Sequence, residues 1–429
     1  MSKKRACTIR DLLKIKHGFA FLGEHFSDEG ESIILTPGNF YERGGFKRIA
    51  GKEKYYLADF PTEYICEKDD LVIAMTQQAE GLLGSTALIP ESGIYLHNQR
   101  IGLIEPKTSE ADKLFLYYLF MTKSVRKQIR ATATGSKVKH TSPESIYDVK
   151  VWIPKELKEQ LNIAETLYAI DCKIEVNNAI NAELERLAKA IYEYWFVQFD
   201  FPNAEGKPYK SSGGAMTYSP TFKREIPTGW NVVPLTKSKL CKLISTGADR
   251  FNGEKIYLAT SDVDKAEIVS HATLTDFANR LSRANMQPRL NSVWFAKMKN
   301  TVKNILVDSG ATELIESYIF STGFSGMQCQ EQTLYYLWNY LRGDYFEARK
   351  NMIATGATQQ AINEDDLDNF LIVEPPKDLL LGFNGAVKAS YIQIGKNKRQ
   401  NLELAKLRDF LLPLLMNGQV TIEDKGGAA

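Results

Sequence analysis

Cysteine is scarce in this chain and badly placed for structural chemistry. Cys7, Cys66, Cys172, Cys241 and Cys329 are odd in number and scattered, so they spell out neither a disulfide framework nor a zinc knuckle. Reduced thiols in a cytosolic protein are expected. Long apolar runs are also missing. The most apolar stretches, near residues 191–201 and 410–416, are too short or too interrupted to span a bilayer. No apolar run follows the basic Met1-Ser2-Lys3-Lys4-Arg5, so no signal peptide is read. Nor is there an excess of either charge: 54 basic residues face 52 acidic ones, for a formal +2. That is weak for a lone nucleic-acid binder, and it points to local basic faces aided by a partner. Catalytic signatures are missing too. No Gly-Lys-Ser/Thr follows the upstream glycine of a phosphate loop, and Gly395-Lys396-Asn397 lies in a helical pattern. His17 and His25 lack the spacing of a helical zinc site, and no carboxylate pair stands out.

What the chain does have is a repeat. Leu116-Tyr117-Tyr118-Leu119 returns as Leu334-Tyr335-Tyr336-Leu337, and Ala133-Thr134-Gly135 as Ala354-Thr355-Gly356. Ile174, Asn177, Asn181 and Leu184 return as Ile394, Asn397, Asn401 and Leu404. The offset is roughly 220 residues, so the repeated unit is a whole domain plus a helix. Two similar halves imply a pseudo-twofold object, which suits a ligand with two sites on a symmetric body. Duplex DNA is the usual one.

Residues 1–154 read as mixed α/β, with short β-rich runs at 32–35, 71–75 and 101–104 and a helix over 110–130. A loop at 134–137 precedes a strand ending at 152–154. Residues 155–200 carry a heptad seam through Leu167, Ile170, Ile174, Asn177, Asn181, Leu184, Ala188, Ile191 and Trp195. Such a helix would be roughly 60 Å long. The Pro, Gly and Ser of 201–225 read as a linker. A second globular part covers 226–376. A second long helix covers 377–418, with its seam at Ile394, Asn397, Asn401, Leu404, Leu411 and Leu415 and a kink or early end expected at Pro413. Residues 419–429 form a frayed tail. Asn at seam positions costs stability but fixes register and orientation; the alternative is that these Asn face solvent on a loosely packed helix. Antiparallel packing of the helices would make a rigid spacer that sets the number of base pairs between two half-sites.

One succession of residues is distinctive. It runs Leu187-Ala188-Lys189-Ala190-Ile191-Tyr192-Glu193-Tyr194-Trp195-Phe196-Val197-Gln198-Phe199-Asp200-Phe201. It continues through Gly206-Lys207-Pro208-Tyr209 and Gly213-Gly214-Ala215-Met216 to Ile226-Pro227-Thr228-Gly229-Trp230. It resembles the central region of the specificity subunit of type I restriction–modification systems. Weaker echoes are Gly18-Phe19-Ala20-Phe21, Pro37-Gly38-Asn39 and Asp70-Leu71-Val72-Ile73-Ala74-Met75. The resemblance implies an α+β fold: two pseudo-symmetric target recognition domains separated by two long helices forming an antiparallel coiled coil. Each domain would read one half of a split target on double-stranded DNA. The helices would dock two modification subunits that methylate adenine, and restriction subunits would join them. S-adenosylmethionine, ATP and Mg are expected on those partners and none in this chain, which is expected to be cytoplasmic and to have no catalysis. The Gly-rich loop and Asn-Pro-Pro-aromatic motif of an adenine methyltransferase are missing, and Glu374-Pro375-Pro376 reads as a strand-to-helix breaker. The first half lacks the Pro-x-Gly-Trp opening of the second, and 291–298 only faintly echoes 70–75. Two alternatives stay open: the specificity subunit of a related two-chain methyltransferase/nuclease, or a coiled-coil scaffold with no DNA target.

Base reading needs Arg, Asn or Gln at groove edges, and phosphate anchoring needs Lys, Arg, Ser or Thr. Polar loop clusters supply the candidates. In the first half they are Asn39, Arg43, Gln77, Gln78, Ser136, Lys137 and Lys139. In the second they are Arg250, Arg283, Asn285, Lys297, Lys299, Gln359 and Gln360. A solvated loop or a turn cap would look the same in sequence. Residues 136–139 and 358–360 stand out because both follow the repeated Thr-Gly. Gln99-Arg100 precedes an apolar strand and reads equally well as structural. Trp195 and Phe196 are either a docking patch for a partner or a cap of the coiled coil against the first domain. The Tyr-Tyr pairs are core packing.

Overall fold

A computed structural model describes residues 4–49, 51–77, 79–135, 138–270, 273–356 and 360–422. It divides into two compact units, Met1–Ile174 with Leu402–Ala429, and Glu175–Asn401.

In the first unit the four residues Leu71–Ala74 form one of the two inner strands of an antiparallel sheet. Its spatial order is Leu13–His17, Ile101–Pro106, Leu71–Ala74, Thr86–Leu88. Every residue of Leu71–Ala74 is buried, which is why the strand reads as an unbroken apolar run and not as an alternation. Leu71 and Ile73 join one core with Phe115, Leu116 and Tyr118. Val72 and Ala74 join another with Leu35, Phe40 and Ala87. A smaller sheet orders Phe26–Ser27, Tyr55–Tyr56, Ile33–Ile34 and Tyr95–Leu96, the last two strands being parallel.

The second unit repeats this plan. Cys241–Leu243, Phe324–Cys329, Ser292–Ala296 and Asn304–Val307 form a sheet of the same order, also antiparallel. The faint sequence echo at 291–298 therefore marks the structural counterpart of Leu71–Ala74. Its companion sheet likewise holds one parallel pair, Glu254–Leu258 with Tyr318–Ser321. In each half a terminal strand pair, Lys4–Thr8 with Lys150–Pro154 and Asn231–Pro234 with Leu371–Glu374, leads into a long helix. Pro375 and Pro376 separate strand from helix in the second half, where proline's missing N–H costs least.

Three elements differ from the sequence reading. The helix expected over 110–130 is two helices, Lys113–Met121 and Lys123–Ala131. Thr122 between them is extended (φ −65°, ψ 142°), and its hydroxyl donates to the Leu119 carbonyl at 2.7 Å. A β-branched hydroxyl residue makes a poor helix interior and a good boundary. The second unit breaks at the same place, between Leu334–Leu341 and Asp344–Ile353. The 201–225 stretch is ordered and not a plain linker. Strands Met216–Ser219 and Arg224–Pro227 pair, Phe201 stacks on Tyr209 and Trp230, and the Asp200 carboxylate accepts from the Ser211 N–H and hydroxyl at 2.7 and 2.6 Å. Its glycines serve turns, with Gly206 and Gly213 at φ 75° and 87°. Finally, the second long helix does not stop at Pro413. It runs Lys377–Met416, because Leu415 and Met416 beyond the exposed proline are buried in the first unit's core and offset the one lost hydrogen bond. The first long helix is Leu157–Tyr192, closed by a π-helical turn at Glu193–Val197.

His97 is buried in the first unit, with Nε2 2.8 Å from the Ile101 carbonyl. Burial pushes its pKa down from 6.5 to about 4. The unfolded chain therefore binds a proton that the folded chain refuses between those values. Stability is full above pH 6.5 and falls by on the order of 3 kcal/mol as pH drops to 4. His97→Gln keeps an N–H donor but does not titrate. Thermal melts of this variant should lose less stability than wild type between pH 6.5 and 4, and equal losses would show that His97 is not the cause.

Candidate nucleic-acid interface

A strand that ends inside a protein leaves N–H and C=O groups that need partners. Beyond Leu71–Ala74 those partners come from a distant hairpin. Thr134 and His140 exchange backbone hydrogen bonds at 3.0 and 2.8 Å. The Gln77 N–H donates to the Lys139 carbonyl, and the Thr141 N–H to the Met75 carbonyl, each at 2.9 Å. Gly135, at φ 101°, makes the turn: a Cβ there would sit 2.1 Å from the Val138 carbonyl oxygen, so no other residue fits. Thr76 Oγ1 and His140 Nδ1 lie 3.1 Å apart and tie side chains across the same seam.

The second unit builds the same object from different residues. Thr355 and Ala361 exchange bonds at 3.2 and 3.0 Å, the Lys299 N–H donates to the Gln360 carbonyl at 2.9 Å, and the Ile362 N–H donates to the Lys297 carbonyl at 3.1 Å. Gly356 turns at φ 134°. All four backbone bonds match those of the first unit. Gln77 thus meets Lys139, Lys299 meets Gln360 and Lys297 meets Ile362, although each pair is far apart in sequence. Lys139 and Gln360 are exposed, while Gln77, Lys297 and Lys299 are half-buried. Amide and ammonium groups so arranged match base-edge and phosphate chemistry respectively. Gln78, Ser136, Lys137 and Gln359 lie outside the described residues. Thr76 was missed as part of this site, since only the return of the chain at His140 shows that it belongs to it.

Other candidates fall elsewhere. Asn39 is a correction. It is 1 % exposed, its side-chain oxygen accepts from Thr36, and its amide donates to the Lys47 carbonyl, so it caps a turn and presents nothing to a groove. Arg43 is exposed and pairs with Asp409 at 2.8 Å. In the second unit the Asn285 side-chain oxygen accepts from the Ala248 N–H at 3.1 Å and from Arg280 at 3.4 Å. Asn285 therefore positions the loop that leads to Arg250. Arg250 and Arg283 are exposed.

The seam residues form a polar lock. Asn177 Nδ2 donates to Asn401 Oδ1 and Gln400 Oε1, each at 2.8 Å, and Asn397 Nδ2 donates to Asn181 Oδ1 at 2.8 Å. Pairing 177 with 401 and 181 with 397 means that these helix segments run antiparallel. Asn177, Asn181 and Asn397 are buried, not solvent-facing. Ile394 is buried beside them in sequence, and Ile174, Leu184 and Leu404 are half-buried. Trp195 and Phe196 pack inside the second unit. Their rings lie 5.9 and 5.0 Å from Phe383, and Phe196 lies 4.7 Å from Tyr336, all within the second unit. Trp195 is thus largely committed to its own chain. The four Tyr of the Tyr-Tyr pairs are buried.

Asn181→Leu or Asn397→Leu alone strands a buried amide and should cost roughly 1–3 kcal/mol in chemical denaturation. The double variant should cost less than the sum, because neither amide is left behind. Strict additivity would contradict a coupled pair.

Comparison with known proteins places these features. Residues 1–186 match the family model described as type I restriction modification DNA specificity domain. The chain is 25% identical over 335 residues to the type I restriction enzyme MjaIX specificity subunit of Methanocaldococcus jannaschii, covering 76% of this chain and 73% of that protein. It is 23% identical over 382 residues to the type I restriction enzyme HindI specificity subunit of Haemophilus influenzae, covering 76% and 81%. The crystal structure of the type I restriction–modification system S subunit from M. genitalium aligns over 96% of each chain with a TM-score of 0.58 at 14% identity, a likeness of fold. The matched family model covers the first of the two similar halves and most of the first long helix. Over three quarters of its length the chain is thus similar to proteins named as specificity subunits of type I restriction enzymes. Among the described residues no helix is long and apolar enough to cross a membrane, and no three His, Cys, Asp or Glu are grouped to hold a metal.

Proposed function

We propose that this chain reads a bipartite DNA target, one half-site for each hairpin-bearing domain. The two long helices would act as an antiparallel coiled-coil spacer that docks two adenine-modification subunits. The observation that carries this reading is the identity of the four backbone bonds at residues 75–77 with 134–141 and at 297–299 with 355–362. Backbone geometry is kept while the side chains change. Gln77 stands opposite Lys299, Lys139 opposite Gln360, and the Thr76–His140 pair opposite Met298–Ala361. One scaffold with two sets of donors suits two different half-sites. The near-neutral charge fits a subunit whose partners share the phosphate contacts. S-adenosylmethionine, ATP and Mg belong to those partners, restriction subunits would complete the assembly, and the complex works in the cytoplasm.

The test is methylome sequencing in a methylation-free host. The chain is expressed with a type I modification-subunit gene from the same genome, against that methyltransferase alone. Methyladenine at one split motif, present only with this chain, is the expected result. No new motif despite a co-purifying complex would overturn the reading in favour of a scaffold.

A further inference from the structure

Lys350 lies on the helix Asp344–Ile353 of the second unit and is 0 % exposed. Its ammonium has three donors and meets three acceptors: the Thr301 carbonyl at 2.7 Å, the Ala296 carbonyl at 3.3 Å and Glu347 Oε1 at 2.8 Å. Ala296 and Thr301 are the two ends of the turn that carries Lys297 and Lys299. The next helix residue adds a third grip, Asn351 Oδ1 accepting from the Asn300 N–H at 2.7 Å. Asn300 holds that turn in the left-handed region at φ 53°. Burying an ammonium is costly, and an apolar side chain of similar volume would often pack as well or better. A buried charge set against main-chain carbonyls gives direction, which apolar packing does not.

The first unit has a counterpart built from another residue. Arg126, on the equivalent helix Lys123–Ala131, is buried and donates to the carbonyls of Glu42, at 2.9 Å, and Gly81. Gly81 lies in the loop that follows Gln77. Each unit thus drives a buried cation from its second short helix into the backbone beyond one inner strand.

We infer that Lys350 is a positioning residue for DNA recognition by the second unit: it holds the 297–300 turn in the shape that bonds the backbone of Gln360 and Ile362. This rests on the specificity reading above. Lys350 itself touches no DNA.

The experiment uses the full chain in complex with its modification subunits. Lys350→Met combined with Glu347→Gln removes both charges and leaves neither unpaired. Binding is measured to a duplex carrying the methylated motif, and to duplexes altered in one half-site or the other, over a range of salt. We expect a cooperatively melting variant whose affinity falls roughly tenfold. Discrimination should weaken at one half-site only. In a Lys297→Ala, Lys299→Ala background the same pair of changes should cost less, because the part of the loss that runs through those two side chains is already taken. Unchanged affinity and discrimination, equal weakening at both half-sites, or an undiminished loss in the double-alanine background would each overturn the role. Should the neutralised variant fail to fold, Lys350→Arg keeps the charge but alters the reach, and the same one-sided loss is expected; unchanged one-sided discrimination there would overturn the role. A wild-type complex that binds no split motif overturns the specificity reading itself.

Discussion

The backbone beyond one inner strand in each unit has to find hydrogen-bond partners, and this constraint organises the rest of the site. At 75–77 and at 297–299 the partner is a hairpin from more than fifty residues downstream, closed on a repeated Thr-Gly. Because main-chain groups make the contact, side chains there are free to diverge without loss of geometry. That separation of backbone from side chain explains how one fold, present twice in one chain, offers two unlike chemical surfaces. The buried cations Lys350 and Arg126 belong to the same logic, since both grip carbonyls and leave neighbouring side chains unconstrained.

The long helices pose the opposite problem. Their seam buries amides, which hydrophobic packing would not require. The Asn177–Asn401 and Asn181–Asn397 bonds exchange into one another under the repeat. A seam so built is matched at one register, because sliding by a turn would leave several amides unpaired. Specificity of alignment is gained at a cost in stability, a reasonable exchange for a part whose proposed task is to fix a spacing.

Much of this was legible in the sequence. The Leu-Tyr-Tyr-Leu and Ala-Thr-Gly repeats located equivalent elements, and the three-and-four spacing located both long helices. The central region carried the family resemblance. What stayed hidden depended on tertiary partners. Asn39 looked like a groove reader because its loop is polar, but its amide is consumed by Thr36 and Lys47. The Pro, Gly and Ser of 201–225 signalled turns correctly but read as no more than a linker, since the Phe201, Tyr209 and Trp230 rings that order it stand apart in sequence. Pro413 argued for a helix end that burial of Leu415 and Met416 overrides. Lys350 carried no signal, as nothing local distinguishes a buried lysine from a solvated one.

The central claim is that the two hairpins are equivalent readers of different half-sites. A photoreactive side chain at position 139 or, separately, at position 360 tests it most directly, with cross-links to the target duplex mapped in the complex with modification subunits. The account predicts that position 139 marks one half-site and position 360 the other. Cross-links from both positions to the same half, or to the spacer alone, would contradict it.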